Sequence, residues 1–163
     1  MSTDPEFFKR VDGLTGLTAI LDVLRWDGDG LVTVVSQDAR SKDVLGVAHA
    51  DRTSIEKTLE TGLMHYYSRS RKKLWLKGEQ SGHFQKLVEL RVDCDGDALL
   101  AKVHQVRGNC HLGFHSCFSY QVTTGGSGRW CVKLVAKKVF DPNKTYRPPN
   151  DPREGEGKED DPT

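Results

Sequence analysis

Two stretches of the chain carry apolar residues at the spacing of an amphipathic helix. The first covers residues 14–26, where one buried face is predicted. Its apolar positions are Leu17, Ile20, Leu21 and Leu24. In the second, Thr53 and Glu56 match a capping box, Ile55 and Leu59 share a face, and Gly62 is placed to end the helix. The pattern therefore predicts two short helices.

Other segments alternate apolar and polar residues or are rich in β-branched residues, which is typical of strands. They cover 31–35, 44–50, 64–67, 74–76, 84–94, 98–106 and 130–140. Turns are predicted at 27–30 and 40–43, and the second of these joins a β-hairpin. Strands that outnumber helices in this order predict an α+β fold with a mostly antiparallel sheet, in a compact single domain.

The predicted elements and the composition divide the chain into four parts. We expect a helical lead-in over 1–26, a central domain over 27–118 and a β-rich extension over 119–140. Residues 141–163 are rich in Pro, Gly, Glu and Asp and hold almost nothing apolar. Such a segment buries too little surface to offset its ordering entropy, so we predict a disordered tail, most clearly from Asn150.

The net charge and the N-terminal sequence limit the partners and the location expected for this protein. The 163 residues carry a formal net charge of +1, which favours neither nucleic acid nor a membrane surface as a partner. Acidic residues follow Met1 where a secretory signal would have basic ones, so we expect a cytoplasmic protein. The four cysteines are then expected to be reduced and to serve metal binding, catalysis or packing.

Three carboxylates lie within five residues, at Asp93, Asp95 and Asp97. If this segment were an extended strand, they would share one face and Cys94 would point away. Such oxygen ligands suit Mg²⁺, Mn²⁺ or Ca²⁺. An EF-hand loop is excluded because its sixth and twelfth positions hold Ala98 and His104. The alternative is an acidic turn between two strands.

Cysteines supply a second candidate metal site. Cys94, Cys110 and Cys117 could hold Zn²⁺ and leave its fourth position open for water, as catalytic zinc sites do. Three buried free cysteines, or a closed site completed by Cys131, are the alternatives. Cys131 lies in an apolar strand, and we expect it to pack in the core. A zinc site with three thiolates benefits from a nearby general base, for which His111 and His83 are the candidates.

A basic turn follows the third predicted strand. Arg69, Ser70 and Arg71 alternate guanidinium and hydroxyl groups, which together can bind phosphate. The alternative is a solvated charged turn. A nucleic-acid role is poorly supported, because the chain is near neutral and lacks a recognition module.

Several of these motifs, in order and with matching gaps, resemble the phosphoribosyl-AMP cyclohydrolase family. The resemblance runs from Trp26 to Phe118. Its densest motifs are Tyr67–Arg71, Trp75–Glu79, Ser81–Gln85, Asp93–Asp97, Cys110–His111 and Ser116–Phe118.

The resemblance implies a function and a set of roles. It implies hydrolysis of the purine N1–C6 bond of phosphoribosyl-AMP by zinc-activated water, in histidine biosynthesis. Zinc would be held by Cys94, Cys110 and Cys117, with ligands drawn from both chains of a homodimer. Magnesium would be held by Asp93, Asp95 and Asp97. The resemblance further implies a proton-transfer role for His111 and substrate binding by the basic turn together with Lys77, Glu79 and Ser81.

Some segments depart from the family pattern. Leu112–His115 replaces a stretch that typically holds Thr and two Arg, which leaves open a divergent paralogue acting on another purine-like nucleotide. A non-catalytic zinc-bound dimerisation or nucleotide-sensing module is the third hypothesis. Some family members carry a fused helical pyrophosphohydrolase domain; the residues after 118 are too β-like for one, so we expect one activity only.

Overall fold

The structure is a computed structural model and describes residues 12–126 and 128–146. Within these ranges it contains three helices and eight strands. In chain order they are α1 (Leu17–Asp22), β1 (Val32–Asp38), β2 (Val44–Ala50), α2 (Arg52–Thr61), β3 (His65–Ser68), β4 (Lys73–Leu76), β5 (Gln85–Val92), β6 (Ala98–Gln105), β7 (Tyr120–Thr124), β8 (Trp130–Leu134) and α3 (Pro142–Thr145).

A six-stranded sheet organises the molecule, in the order β4-β3-β2-β1-β6-β5. Every neighbouring pair is antiparallel except β1 and β6, which run parallel. The predicted hairpin is present, with Val32 opposite Ala50. The prediction of an α+β fold with a mostly antiparallel sheet is confirmed. A third helix, α3, was not predicted.

The core lies between the sheet and the first two helices. Leu21 and Leu24 from the α1 region and Ile55 from α2 pack against apolar residues of the central strands. The strand residues of this cluster include Val32, Val34, Leu45, Leu99, Ala101 and Val103. Each of these side chains is at most 5% exposed, so the sheet face that carries them is closed to water.

Two details of the helices differ from prediction. The first helix ends at Asp22, because Arg25 N–H then bonds to the Gly96 carbonyl oxygen at 2.8 Å rather than within the helix. The second begins two residues earlier than the capping box implied. Asp51 is its N-cap and accepts a hydrogen bond from Ser54 N–H at 2.8 Å. Leu59 is exposed; Ser54 and Thr58 join Ile55 on the buried face.

The C-terminal region is more ordered than its composition suggested. Strands β7 and β8 form a separate antiparallel hairpin, of which only β8 was predicted. Helix α3 lies within the segment predicted to be a disordered tail, so that prediction is wrong for residues 142–145. The rest of the tail prediction and the first eleven residues of the lead-in lie outside the described residues. None of the described helices is long and apolar enough to cross a membrane.

Candidate active site

A cleft of about 300 Å³ opens where β2, β3 and β4 meet the loop that follows β6. This loop, residues 106–119, carries two of the predicted metal ligands and is called the site loop below. The cleft is lined by Ser36, Gly46, Val47, Ala48, Tyr66, Arg71, Trp75, Lys77, Gln80, Asn109, His111, Cys117 and Tyr146.

The site loop is tied to the start of β2 by hydrogen bonds. Cys117 N–H donates to the Leu45 carbonyl oxygen at 2.8 Å, and the Ser116 hydroxyl donates to the Val44 carbonyl oxygen at 2.6 Å. A tight turn closes the other side of the loop, where Cys110 N–H bonds to the Phe114 carbonyl oxygen at 3.0 Å. These bonds bring residues distant in sequence to the same wall of the cleft.

Cys110 and Cys117 come together in this wall. Cys110 is buried, and its thiol interacts with that of Cys117. Burial, and then the neighbouring Cys110 thiol, raise the pKa of Cys117 to about 11 in the absence of a cation. Two adjoining thiols of this kind need a positive charge beside them before both can ionise.

Lys77 supplies one such charge. Its side chain is buried, and its ammonium group donates a hydrogen bond to the Asn109 carbonyl oxygen at 2.8 Å. Burial lowers the pKa of Lys77, whereas the thiols of Cys117 and Cys110 act in the opposite direction. The amine therefore lies where it can stabilise either thiolates or an anionic ligand.

Asn109 connects the thiols to the sheet and was not predicted as a site residue. Its amide nitrogen donates to the Leu45 carbonyl oxygen at 2.7 Å and to the Cys117 Sγ at 3.3 Å. Its amide oxygen accepts from the fully buried Gln85 at 3.2 Å, and Gln85 in turn accepts from the Tyr66 hydroxyl at 2.6 Å. The only sequence signal for Asn109 was its place directly before Cys110.

The two candidate histidines occupy different environments. His111 is exposed and lines the cleft. His83 is 2% exposed, and its Nδ1 finds no hydrogen-bond partner among the described residues. Burial, and then the positive charges of Arg107 and Lys77, lower the pKa of His83 and favour its neutral form. His111 is therefore the histidine that a ligand in the cleft can reach.

Of the predicted phosphate-binding residues, Arg71 lines the cleft, whereas Arg69 and Ser70 do not. The Arg71 guanidinium lies 5.7 Å from the centroid of the Trp75 ring, and its Nε donates to the Ser68 hydroxyl at 3.2 Å. The positive charge of Arg69 instead interacts with the side chains of Asp27 and His49. The hydroxyl of Ser70 lies 3.5 Å from that of Ser68.

Two more predicted substrate-binding residues lie in the turn after β4. Ser81 accepts a hydrogen bond from His83 N–H at 3.2 Å through its hydroxyl oxygen. Glu79 is exposed. Neither residue lines the cleft, whereas their neighbour Gln80 does.

The three aspartates also converge, although by a different geometry from the one predicted. Residues 93–97 form a turn rather than an extended strand, with Gly96 at a φ of 80°. One carboxylate oxygen from each of Asp93, Asp95 and Asp97 nevertheless lies within 4.8 Å of the others. Repulsion from Asp95, then burial and Asp93, raise the pKa of Asp97. The donor set suits a hard divalent cation.

The structure keeps Cys94 apart from the other two predicted zinc ligands within one chain. Cys94 is exposed in the aspartate turn. Among the described residues, the aspartates are the one group of three or more His, Cys, Asp or Glu with ligand atoms within 4.8 Å of one another. Cys131, expected in the core, is half-buried in the β7–β8 hairpin. That hairpin is largely exposed, and this leaves Cys131 outside the core cluster.

The fold and cleft define a class of small α+β protein that gathers two thiols, a buried amine and an accessible imidazole at one cleft. The sequence profile of the phosphoribosyl-AMP cyclohydrolase family matches residues 46–119. The phosphoribosyl-AMP cyclohydrolase of Methanococcoides burtonii is 49% identical over 126 residues, which cover 77% of this chain and 98% of that protein. This chain therefore belongs to the phosphoribosyl-AMP cyclohydrolase family and is an enzyme.

Two further relatives support this family assignment. The phosphoribosyl-AMP cyclohydrolase of Rhodopseudomonas palustris (strain TIE-1) is 51% identical over 75% of this chain and 82% of its own length. The histidine biosynthesis bifunctional protein HisIE of Thermoanaerobacter pseudethanolicus is 47% identical over 80% of this chain and 58% of its own length.

Proposed function

We propose that this enzyme hydrolyses the N1–C6 bond of the purine ring of 1-(5-phosphoribosyl)-AMP in histidine biosynthesis. The oxygen of water bonds to C6 and becomes a carboxamide oxygen, while the C6–N1 bond breaks. One proton of the water goes to N1 and the other to the exocyclic nitrogen on C6, and the product is the formimino-AICAR ribonucleotide. The observation that carries the proposal is the cleft itself, in which Cys117, Lys77 and His111 lie together in a chain whose relatives carry this enzyme's name.

Zinc is the first cofactor that we propose. The adjoining thiols of Cys110 and Cys117 fit it, because soft sulfur ligands select Zn²⁺ over hard cations. Without a cation the Cys117 thiol ionises unfavourably, which also supports a zinc site here. Zinc, when bound, would supply a Lewis acid that activates water at neutral pH. We propose Cys94 of a second copy as the third ligand.

Magnesium is the second cofactor that we propose, held by Asp93, Asp95 and Asp97. The mutual repulsion of these carboxylates fits a bound hard cation, which would remove it. Its role would be to orient the phosphate groups of the substrate.

The remaining steps belong to side chains of the cleft. His111 is accessible and adjoins Cys110, so it can accept the proton of the attacking water and pass it to N1. Arg71 and Lys77 would place positive charge beside the phosphates of the substrate. We propose that Arg69, Ser70, Glu79 and Ser81 bind the substrate at the margin of the cleft. His83, which is buried, is proposed to act by holding the turn that precedes β5 rather than by touching the reacting atoms.

A homodimer with the active site at the subunit interface is part of the proposal. Its first support is that Cys94 lies apart from Cys110 and Cys117 within one chain. Its second is the β7–β8 hairpin, where Trp130 is 76% exposed and Val122 is 66% exposed. Apolar side chains this exposed on a two-stranded hairpin are stabilised when another surface covers them. A second copy of this chain is the occupant we propose.

The test is turnover of freshly prepared phosphoribosyl-AMP by the purified full chain with Zn²⁺ and Mg²⁺, followed by product absorbance. AMP and other purine nucleotides form a parallel panel. Turnover of phosphoribosyl-AMP that stops on chelation and returns with metal supports the proposal. A folded, zinc-loaded protein that prefers another nucleotide would identify a divergent paralogue instead, and Leu112–His115 would be the first segment to exchange.

A further inference from the structure

We propose that Tyr146 is a specificity-determining residue whose aromatic ring contacts the purine of the substrate. Residues 138–146, called the C-terminal strap, hold it in the cleft wall. The identity of the ligand rests on the function proposed above. The strap itself lies outside the region matched by the family profile, which ends at residue 119.

The strap is attached to the site loop by its backbone. Val139 N–H donates to the Gly113 carbonyl oxygen at 2.7 Å, and Phe140 N–H approaches the same oxygen at 3.4 Å. Phe114 and Lys138 form an antiparallel bridge beside this bond. The backbone of the strap is therefore bonded directly to the loop that carries Cys110 and His111.

Two glycines of the site loop make room for the strap. Gly113 has a φ of +98°, and a Cβ there would lie 2.6 Å from the Phe140 carbonyl oxygen. A Cβ on Gly108 would lie 2.7 Å from Cε1 of the Phe140 ring. Only glycine permits such a close approach, so the loop is shaped to receive this segment.

Phe140 anchors the strap over a buried site residue. Its ring meets the His83 ring edge-on, with centroids 4.3 Å apart. Phe140 also contacts the Tyr146 ring at a centroid distance of 6.3 Å. The order His83, Phe140, Tyr146 forms a row of rings that runs from the interior to the cleft.

Helix α3 sets the direction of Tyr146. The Asp141 carboxylate accepts a hydrogen bond from Asn143 N–H at 2.9 Å, and Pro142 occupies the first turn. At the other end, Tyr146 N–H donates to the Pro142 carbonyl oxygen at 2.9 Å. A single capped turn thus places the Tyr146 ring on the cleft.

The Tyr146 side chain is available to a ligand. It is 39% exposed. It shares the cleft with Trp75, and with the cationic side chains of Arg71 and Lys77. Aromatic walls together with two cations suit a ligand that joins a flat heteroaromatic ring to phosphate, and stacking needs no hydroxyl from the tyrosine.

The test compares Tyr146→Ala and Tyr146→Phe with wild type in the full chain, by steady-state kinetics with phosphoribosyl-AMP and by calorimetric binding of AMP. Tyr146→Ala is expected to raise KM and the Kd for AMP by about fivefold to hundredfold, the usual range for loss of base stacking. The kcat should change much less, and Tyr146→Phe should stay within about twofold of wild type.

Val88→Ala is the control, because Val88 is an exposed apolar residue of β5 that lies outside both the cleft lining and the β7–β8 hairpin. Thermal unfolding of each variant separates a folding defect from a binding one. Unchanged KM and unchanged AMP affinity in a folded Tyr146→Ala protein would overturn the inference. Tyr146-dependent AMP binding in a wild-type protein that fails to turn over phosphoribosyl-AMP would preserve the inference and reject the proposed reaction.

Discussion

The amide nitrogen of Asn109 donates a hydrogen bond to the Sγ of Cys117 at 3.3 Å. The same nitrogen bonds to the Leu45 carbonyl oxygen, so one side chain fixes the thiol relative to the sheet. A hydrogen bond to sulfur stabilises the thiolate over the thiol. Asn109 is thus a positioning residue for Cys117, and its contribution can be measured.

Asn109→Asp should keep the shape of this side chain and remove its N–H donor. The new carboxylate would repel a Cys117 thiolate, so we expect zinc affinity and kcat/KM to fall by about tenfold or more, the worth of one hydrogen bond to a charged group. Zinc titration and steady-state kinetics measure both. Asn143→Asp, on the exposed face of α3, serves as control. Equal zinc affinity in the two variants would refute the role of Asn109.

Cys110→Ser should abolish turnover and weaken the proposed dimer. Even residues that only support a metal ligand are worth about 10–100-fold, so loss of a ligand is expected to cost more than about 100-fold in kcat/KM. Metal content by mass spectrometry and dimer mass by light scattering give independent readouts. Cys131→Ser, which changes a cysteine outside the proposed zinc site, is the control for metal content. Full activity in Cys110→Ser would reject a catalytic zinc site at this cysteine.

Magnesium should raise the thermal midpoint of the wild-type protein through the aspartate turn. Asp97→Asn removes one donor and also one of the repelling charges, so the variant should be slightly more stable than wild type without metal and gain less from Mg²⁺. Differential scanning fluorimetry across Mg²⁺ concentrations measures both effects. Asp29→Asn, in the turn before β1, is the control. An identical Mg²⁺ response in all three proteins would place the cation elsewhere.

Gly113→Ala should detach the C-terminal strap. The added Cβ meets the Phe140 carbonyl oxygen and the φ of +98° is strained for alanine, so we expect a loss of about 1–3 kcal/mol in the free energy of unfolding. Urea unfolding measures it. Gly28→Ala has open space around its Cβ and should change stability by less than about 0.5 kcal/mol. Equal stability in the two variants would show that the strap is not held at Gly113.

Removal of residues 150–163 should leave kcat and KM within about twofold of wild type. The composition of this segment supplies almost no apolar surface, so its loss should cost little. Steady-state kinetics of the shortened chain test this. A large loss of activity would show that the tail contributes to the folded enzyme.

The sequence alone determined the order of most strands, the two helices of the core and the family. It could do so because hydrophobic periodicity reports local backbone structure, and because ordered motifs with fixed gaps are improbable by chance. It was wrong at the cap of α2 and at residues 93–97, where several turn and strand conformations satisfy the same local pattern. It also missed β7 and α3, which are short and lack a strong periodic signal.

Only the tertiary structure decided which residues meet. Asn109 bonds to Leu45 across 64 positions of the chain, and Lys77 bonds to Asn109 across 32. No spacing rule encodes such pairs, because they follow from which strands pair and where a loop crosses the sheet. The same reason explains why Tyr146 went unnoticed: a tyrosine in a Pro- and Asp-rich segment becomes part of the cleft only once Phe140 has packed on His83.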